Sequence, residues 1–234
     1  AVEVTLSTIS EFLKNMDEFE KSFRDNPAKV IKKIQKYIIS YWNKAIGAHY
    51  DSNPITDTEK EPFTDEQFRA IKRESIYGTT LVACVMCEKF SFGIQLGDGS
   101  LVTVNKYATA QMPIADDESC PANLTASMCN TNAIEMFNHF YTFDEIMAVF
   151  VSTDGLFTSF GSREDFQDYH TILVGLLDDK DSFTKAVNKN LSKRTNHGTR
   201  DDISLAGIYS ENFVVASQEA IMSQIELNRK MTEI

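Results

Sequence analysis

The sequence has no long apolar run, few cysteines and histidines, and a shortage of positive charge. No stretch approaches the roughly 18 apolar residues that a membrane-spanning helix requires, so we expect no membrane partner. Lys and Arg number 23 against 34 Asp and Glu, which gives a formal net charge of −11. Nucleic-acid binding needs clustered cations, and this balance argues against it. The first residues lack the basic region of a secretory signal and include acids early, so we expect a cytoplasmic protein.

The small stock of nucleophilic and zinc-binding side chains also limits the chemistry. Cys84 and Cys87 have the spacing of a redox or zinc pair, but they lie in an apolar run without a second pair or a histidine nearby. Buried strand cysteines are the simpler interpretation. No Ser-His-Asp or Cys-His arrangement is visible, so the sequence does not indicate covalent catalysis by a side chain.

Apolar residues three or four positions apart predict helices in the first third of the chain. One helix is expected over residues 2–24. Another begins at Pro27, a residue suited to the first helical turn, and ends near Gly47. Residues 48–63 form a predicted loop. A short helix over residues 64–75 is then opened by a Thr-x-x-Gln capping box.

The pattern changes to short runs rich in β-branched and aromatic residues, which predict an antiparallel meander of three strands. These strands are expected over residues 79–87, 91–96 and 101–107. The Asp98-Gly99 turn before the last strand is a strong hairpin signal, so Asp98 has a structural explanation beside any functional one. Residues 108–141 are polar and irregular, and the acidic cluster at 116–118 is typical of a solvated loop.

The last third of the chain alternates between strand and helix patterns. We expect a buried strand over 146–153, helices over 162–177 and from 181 onwards, a basic loop over 193–200, a strand over 203–209 and an amphipathic helix over 214–231. A chain of 234 residues without a Pro-, Gly- or Ser-rich linker favours one large domain over two small ones.

Acidic residues stand at the ends of three predicted strands. The apolar run 149–153 ends on Asp154 and Gly155, Asp98 precedes another strand, and Asp201 and Asp202 precede a third. Carboxylates far apart in sequence therefore have the opportunity to meet at one site. Carboxylate oxygens are ligands that hard divalent cations prefer. Ordinary turn residues remain the structural alternative for each of them.

Four short motifs follow one another in a familiar order. They read YGTTL at 77–81, LGDGS at 96–100, STDGL at 152–156 and RDDISL at 200–205. In this order and at these separations they resemble the motifs of metal-dependent serine/threonine protein phosphatases of the 2C type, and their style is closest to the bacterial branch. The resemblance covers about residues 77–209.

The resemblance implies an α+β fold, a four-layer αββα sandwich of two antiparallel sheets flanked by helices, with two or more Mn²⁺ or Mg²⁺ ions at one end. Asp154 and Asp201 look like metal ligands, and Asp98 is similar to the acid that holds an additional metal. Gly155 and Asp202 adjoin these ligands. The implied reaction is hydrolysis of phosphoserine or phosphothreonine in a phosphoprotein substrate by a metal-activated water. The resemblance assigns a catalytic role to no side chain of this sequence.

The chain also departs from the family pattern. The DGxGG-like segment that supplies a bridging acid is missing, and Thr158 stands where many members have another acid. We expect a fragment of a longer phosphatase, with residues 1–210 as the phosphatase-like domain and 211–234 as a helix that packs on it or on a partner. The alternatives are an inactive phosphatase-like binding or regulatory module, and a Ca²⁺-binding domain, against which the lack of EF-hand spacing speaks. The oligomeric state stays unassigned.

Overall fold

The structure is a computed structural model that describes residues 1–114 and 125–232. The chain divides into two compact units. The first comprises Ala1–Leu81 and Cys120–Asn138, and the second comprises Val82–Ser119 and His139–Ile234. The acidic cluster at 116–118 lies outside the described residues. Within the described ranges, no helix combines the length and the apolar character needed to cross a membrane.

The first unit is helical, and its longest helix is α3. The side chain of Asn26 caps α3 by accepting from the backbone N–H of Lys29, while Pro27 occupies the first turn, where no N–H is required. Helices α1 and α2 pack against α3. The elements of this unit are α1 Val2–Leu13, α2 Met16–Asp25, α3 Pro27–Ser52, α4 Asp57–Lys60, α5 Asp65–Ala70, α6 Arg73–Ile76 and α7 Ala133–Met136.

Several helix boundaries differ from the predicted ones for local reasons. The predicted helix over 2–24 is two helices, because the side chain of Asn15 accepts from the N–H of Glu18 and starts α2. Helix α3 continues through Gly47. A glycine inside a helix costs only about 1 kcal/mol relative to alanine, too little to end a helix with a long buried face. The predicted loop 48–63 contains the end of α3 and all of α4, which has its own capping box. The capping box at 64–67 is confirmed, although α5 ends at Ala70.

The second unit contains both sheets, apart from the boundary residues Leu81 and Asn138. One sheet has the strand order β1-β2-β5 and the other has the order β4-β3-β6-β7. The predicted fold class, α+β with two antiparallel sheets flanked by helices, is confirmed. The strands are β1 Leu81–Met86, β2 Ser91–Leu96, β3 Ser100–Asn105, β4 Ala110–Gln111, β5 Asn138–Thr142, β6 Ile146–Ser152 and β7 Leu205–Tyr209.

The predicted three-strand meander is wrong, because β2 and β3 belong to different sheets. Strands β1 and β2 form a hairpin closed by the bond from the N–H of Cys87 to the carbonyl of Phe90. The chain then changes sheet at Gly97, whose φ of 96° is accessible to glycine and rarely to other residues. Strand β3 pairs instead with β4 and β6. A tight Gly-Asp-Gly turn is compatible with either path, and the sequence pattern alone does not distinguish them.

The four-stranded sheet has an apolar core on each face. Side chains alternate along β6, so that Val149 faces the three-stranded sheet while Phe150 faces the helices. Phe140 of β5 and Leu101 of β3 share the first core. The second core is covered by α9 and α12, where Ile221 and other buried side chains contact the sheet layer. The helices of this unit are α8 Asp154–Phe157, α9 Arg163–Gly175, α10 Lys180–His197, α11 Glu211–Ala216 and α12 Gln218–Thr232.

The C-terminal part of the chain also refines the predictions. The predicted basic loop over 193–200 is wrong, since its first five residues complete α10. The predicted helix over 214–231 is two helices, α11 and α12. Helix α12 packs on α9, with Ile225 Cδ1 lying 3.1 Å from the position that a Cβ would take on Gly175. The division of the chain at residue 210 stays a prediction.

Substituting Gly93 by alanine is expected to destabilise the interface between the two sheets. A Cβ at this position would lie 2.4 Å from Leu101 Cδ1 and 2.7 Å from Phe140 Cε1, closer than carbon atoms pack. We expect a loss of about 1–3 kcal/mol in the free energy of unfolding, measured by urea denaturation. The matched control is Gly161→Ala, whose Cβ meets nothing nearer than Asp165 Oδ2 at 3.6 Å. Equal stability of the two variants would contradict the close packing at Gly93.

Candidate metal centre

The strand register brings the three acidic segments to one end of the four-stranded sheet. Ser100 at the start of β3 pairs with Ser152 at the end of β6, and Ser152 pairs in turn with Leu205 at the start of β7. The turn before β3, the segment after β6 and the loop before β7 therefore leave the sheet at the same end. These three segments carry Asp98, Asp154 and the pair Asp201-Asp202.

Thr153 joins two of these segments. Its N–H donates to the carbonyl of Ser204 at 3.1 Å, and its Oγ1 donates to the carbonyl of Asp202 at 3.2 Å. The same hydroxyl accepts from the N–H of Ser204 at 3.0 Å. These bonds fix the loop before β7 against the residue that precedes Asp154. Sequence reasoning did not identify Thr153, and the only signal was its place in the STDGL motif.

Gly155 allows a second close approach between the same segments. A Cβ on Gly155 would lie 3.0 Å from the carbonyl oxygen of Asp202, 3.2 Å from Asp201 Cβ and 3.3 Å from Asp201 Oδ2. The carboxylate of Asp201 therefore lies against the residue that follows Asp154. A larger side chain at position 155 would displace the loop before β7, so close packing requires glycine at this position.

Local hydrogen bonds fix the backbone of Asp154 and the side chain of Asp201. Asp154 is partly buried and opens the short helix α8, and its carbonyl accepts from the N–H of Thr158 at 3.0 Å and from its Oγ1 at 3.1 Å. Asp201 is exposed, and its Oδ1 accepts from the N–H of Asp202 at 2.9 Å. Asp201 follows Arg200, whose φ of 62° lies in the left-handed region that most side chains avoid. The side chain of Thr158 thus binds the backbone carbonyl of Asp154.

Asp98 lies in the turn that changes sheets. It is exposed, and it stands between Gly97 and Gly99. A Cβ on Gly99 would lie 3.0 Å from the carbonyl oxygen of Ser152 and 2.7 Å from Val82 Cγ2, so the turn passes close to the end of β6. The hairpin explanation for Asp98 does not hold as predicted, because its two flanking strands are in different sheets.

The donor set suits a hard cation. The three segments offer carboxylates and backbone carbonyls, and Mg²⁺ takes only one or two protein carboxylates while it keeps several waters. The hydroxyl of Ser152, a residue that is 8% exposed, has no hydrogen-bond partner and lies at this end of β6. In the part of the chain that the structure describes, no group of three or more His, Cys, Asp or Glu side chains is close enough to hold an ion. The roles of Asp98, Asp154 and Asp201 as ligands stay predictions.

The fold and this end of the sheet define a class of protein: an α+β domain of two antiparallel sheets that gathers acidic residues where three strands end. Comparison with known proteins gives the family. The family model described as protein phosphatase 2C matches residues 1–194, so the chain belongs to that family. Asp98 and Asp154 lie within the matched residues, whereas Asp201 lies beyond them. Family membership confirms the resemblance at the level of the family.

Other comparisons add little. No curated protein matches the sequence. One solved structure that is similar to the chain is described as the structure of a C. elegans sex determining protein, with 13% sequence identity and a TM-score of 0.39. The likeness covers 60% of this chain, and the chain spans 43% of the length of that structure. A TM-score this low supports no structural conclusion.

Proposed function

We propose that this chain acts in the hydrolysis of phosphoserine or phosphothreonine in proteins, as part of a metal-dependent phosphatase of the bacterial-like branch. The observation that carries the proposal is the register at Ser100, Ser152 and Leu205, which leads three acidic segments to one end of a sheet. Membership of the protein phosphatase 2C family supports the reaction class. The proposed location is the cytoplasm, which the free thiols of Cys84, Cys87 and Cys129 favour, because reducing compartments keep thiols free.

In this proposal Asp154 and Asp201 hold the divalent ions, with Asp98 at a further site. When bound, two such ions lower the pKa of a water and neutralise charge on the phosphoryl group, so no nucleophilic side chain is needed. The remaining residues orient the ligands. Thr153 holds the loop before β7 through three hydrogen bonds, and Gly155 lets that loop approach. A displaced carboxylate would misplace the ions, and catalysis is sensitive to such displacement.

One observation favours the alternative, an inactive phosphatase-like binding or regulatory module. Among the described residues no three-member group of metal-binding side chains exists. An ion held by only one or two carboxylates needs further oxygen ligands from water or from substrate phosphate. The two functions make different predictions for a protein extended upstream through any DGxGG-like segment. A phosphatase gains metal-dependent turnover from the additional acid, whereas a binding module stays inactive.

Asp154→Asn is expected to reduce kcat/KM for a phosphoserine peptide by on the order of 100-fold or more in the extended protein with Mn²⁺, because a neutral amide is a poor ligand for a hard cation. The measurement is phosphate release at several Mn²⁺ concentrations, together with Mn²⁺ binding by calorimetry. The matched control is Asp144→Asn, an exposed aspartate that precedes the start of β6, whereas Asp154 follows the end of that strand. For the 234-residue chain itself we expect little or no turnover.

The outcomes separate the hypotheses. If the extended protein binds Mn²⁺ but is inactive, the proposed metal site is supported and the proposed catalytic function is wrong. An active protein in which Asp154→Asn behaves like Asp144→Asn would show that the ligand assignment is wrong.

A further inference from the structure

A cavity of about 580 Å³ lies between α9, α10 and α12 in the second unit. None of Asp98, Asp154 and Asp201 lines it. Its volume is in the range of pockets that bind small molecules, and its lining combines apolar side chains with a few charged ones. The proposed metal centre makes no use of these residues.

The cavity has a polar end and an apolar end. At the polar end, Arg194 of α10 donates to Ser159, which precedes α9, and Asn228 of α12 donates to Asp168 of α9 at 2.7 Å. At the apolar end, Ile225 of α12 approaches Gly175, near the C-terminus of α9. Each neighbouring helix therefore runs antiparallel to α9. The apolar lining residues there are Ile172, Leu173, Leu176, Val187 and Ile225.

Arg194 is held in a fixed orientation at the polar end. Its Nε donates to Asn190 Oδ1 at 2.8 Å, and its Nη1 donates to the carbonyl and the hydroxyl of Ser159, both at 3.0 Å. The guanidinium carbon lies 3.7 Å from the ring centroid of Phe160 and 5.3 Å from that of Tyr169. Burial lowers the pKa of Arg194 below its usual value. In the described part of the chain, no hydrogen bond involves its second amino group, Nη2. A guanidinium held in this way suits a planar carboxylate.

Two aspartates line the same cavity. Asp168 accepts from Asn228, and its pKa is raised, first by burial and then by the charges of Asp165 and Glu164. Asp165 and Arg229 also line the cavity. Within the described ranges no ion pair joins either aspartate to either arginine. Asp168 and Arg194 are partly buried, whereas Asp165 and Arg229 are exposed. The cavity therefore presents charges of both signs with which a ligand can pair.

We infer that this cavity binds a small zwitterion with an apolar body, namely a free apolar amino acid or a short apolar peptide. The ligand carboxylate pairs with Arg194, and its ammonium group pairs with Asp168 and Asp165. The aliphatic part occupies the apolar end beside Leu173 and Ile225. None of these residues belongs to the proposed metal centre, so ligand binding here is independent of the proposed phosphatase function.

The test is isothermal titration of the 234-residue chain with L-leucine and with L-leucyl-L-leucine, which distinguishes the free amino acid from the peptide. Three analogues each lack one feature: L-leucinamide has no carboxylate, 4-methylpentanoate has no ammonium and glycine has no apolar body. We expect at least one of the first two compounds to bind, and each analogue to bind at least about tenfold more weakly. Absence of binding by both zwitterions, or equal binding of an analogue, would overturn the inference.

Variants then locate the site. Ala186→Trp adds a large side chain at an exposed position that lines the cavity, and it should weaken binding at least about tenfold. Asn188→Trp is the matched control, because Asn188 is exposed on the same helix and does not line the cavity. Arg194→Lys keeps the charge but loses the planar fork, and it should also weaken binding. If Ala186→Trp and Asn188→Trp bind the zwitterion equally, the ligand binds elsewhere and the assignment is wrong.

Discussion

Replacing Phe166 with alanine is expected to lower the free energy of unfolding by about 3–5 kcal/mol, the usual cost of emptying a fully buried aromatic site. Phe166 lies on α9 and is 0% exposed. Its ring contacts Phe157 and Phe160 edge to face, with centroid distances of 5.1 Å and 5.5 Å, and that of His170 at 4.5 Å. The ring therefore connects α9 with the short segment that follows Asp154. The empty space left by the substitution and the lost ring contacts both lower the free energy of unfolding.

Urea denaturation at neutral pH measures this effect, with Phe143→Ala as the matched control. Phe143 is 40% exposed, and its removal should cost less than about 1 kcal/mol. A loss below about 1.5 kcal/mol for Phe166→Ala would mean that the surrounding rings collapse into the vacated space, since the cost of such substitutions depends on how well the site relaxes.

Local patterns in the sequence predicted most elements and missed their arrangement in the sheets. The capping box at 64–67 and the apolar run of β6 depend on neighbouring residues, and both appear as predicted. The assignment of β3 to a different sheet from β2 depends instead on contacts such as the one between Gly93 and Leu101. The hairpin signal at Asp98-Gly99 reports that the chain turns, and it carries no information on which strand it then meets.

The candidate site shows the same division. Acids at strand ends were visible in the sequence, because a strand that ends on a carboxylate and a glycine is a local feature. The bonds of Thr153 to the loop before β7 join residues about fifty positions apart, and no local signal predicts them. The sequence predicts a basic loop over 193–200, which includes Arg194, because the helical pattern is weak in this polar segment. The ring contacts of Arg194 with Phe160 and Tyr169 depend on tertiary packing.

Acidification from pH 6.5 to about 4 is expected to remove about 3 kcal/mol of stability through His170 alone. This side chain is 1% exposed, and it lies among the rings of Phe150, Phe166 and Tyr169. Burial lowers the pKa of His170 from 6.5 to about 4, against a smaller raising effect of the hydrogen bond between Nδ1 and the carbonyl of Phe166 at 2.7 Å. That bond requires Nδ1 to carry the proton of the neutral ring.

The sign follows from the protons bound in each state. Between the folded and unfolded pKa values the unfolded chain binds a proton at His170 that the folded protein does not, so stability is complete above pH 6.5 and falls until about pH 4. Carboxylates titrate in the same range, and the difference between the parent and His170→Gln isolates the histidine. We expect urea denaturation to show about 3 kcal/mol less pH dependence over this range for His170→Gln than for the parent. A parallel loss of stability in His170→Gln and the parent would contradict the prediction. It would mean that His170 takes up its proton in the folded state, although Phe150, Phe166 and Tyr169 enclose its ring.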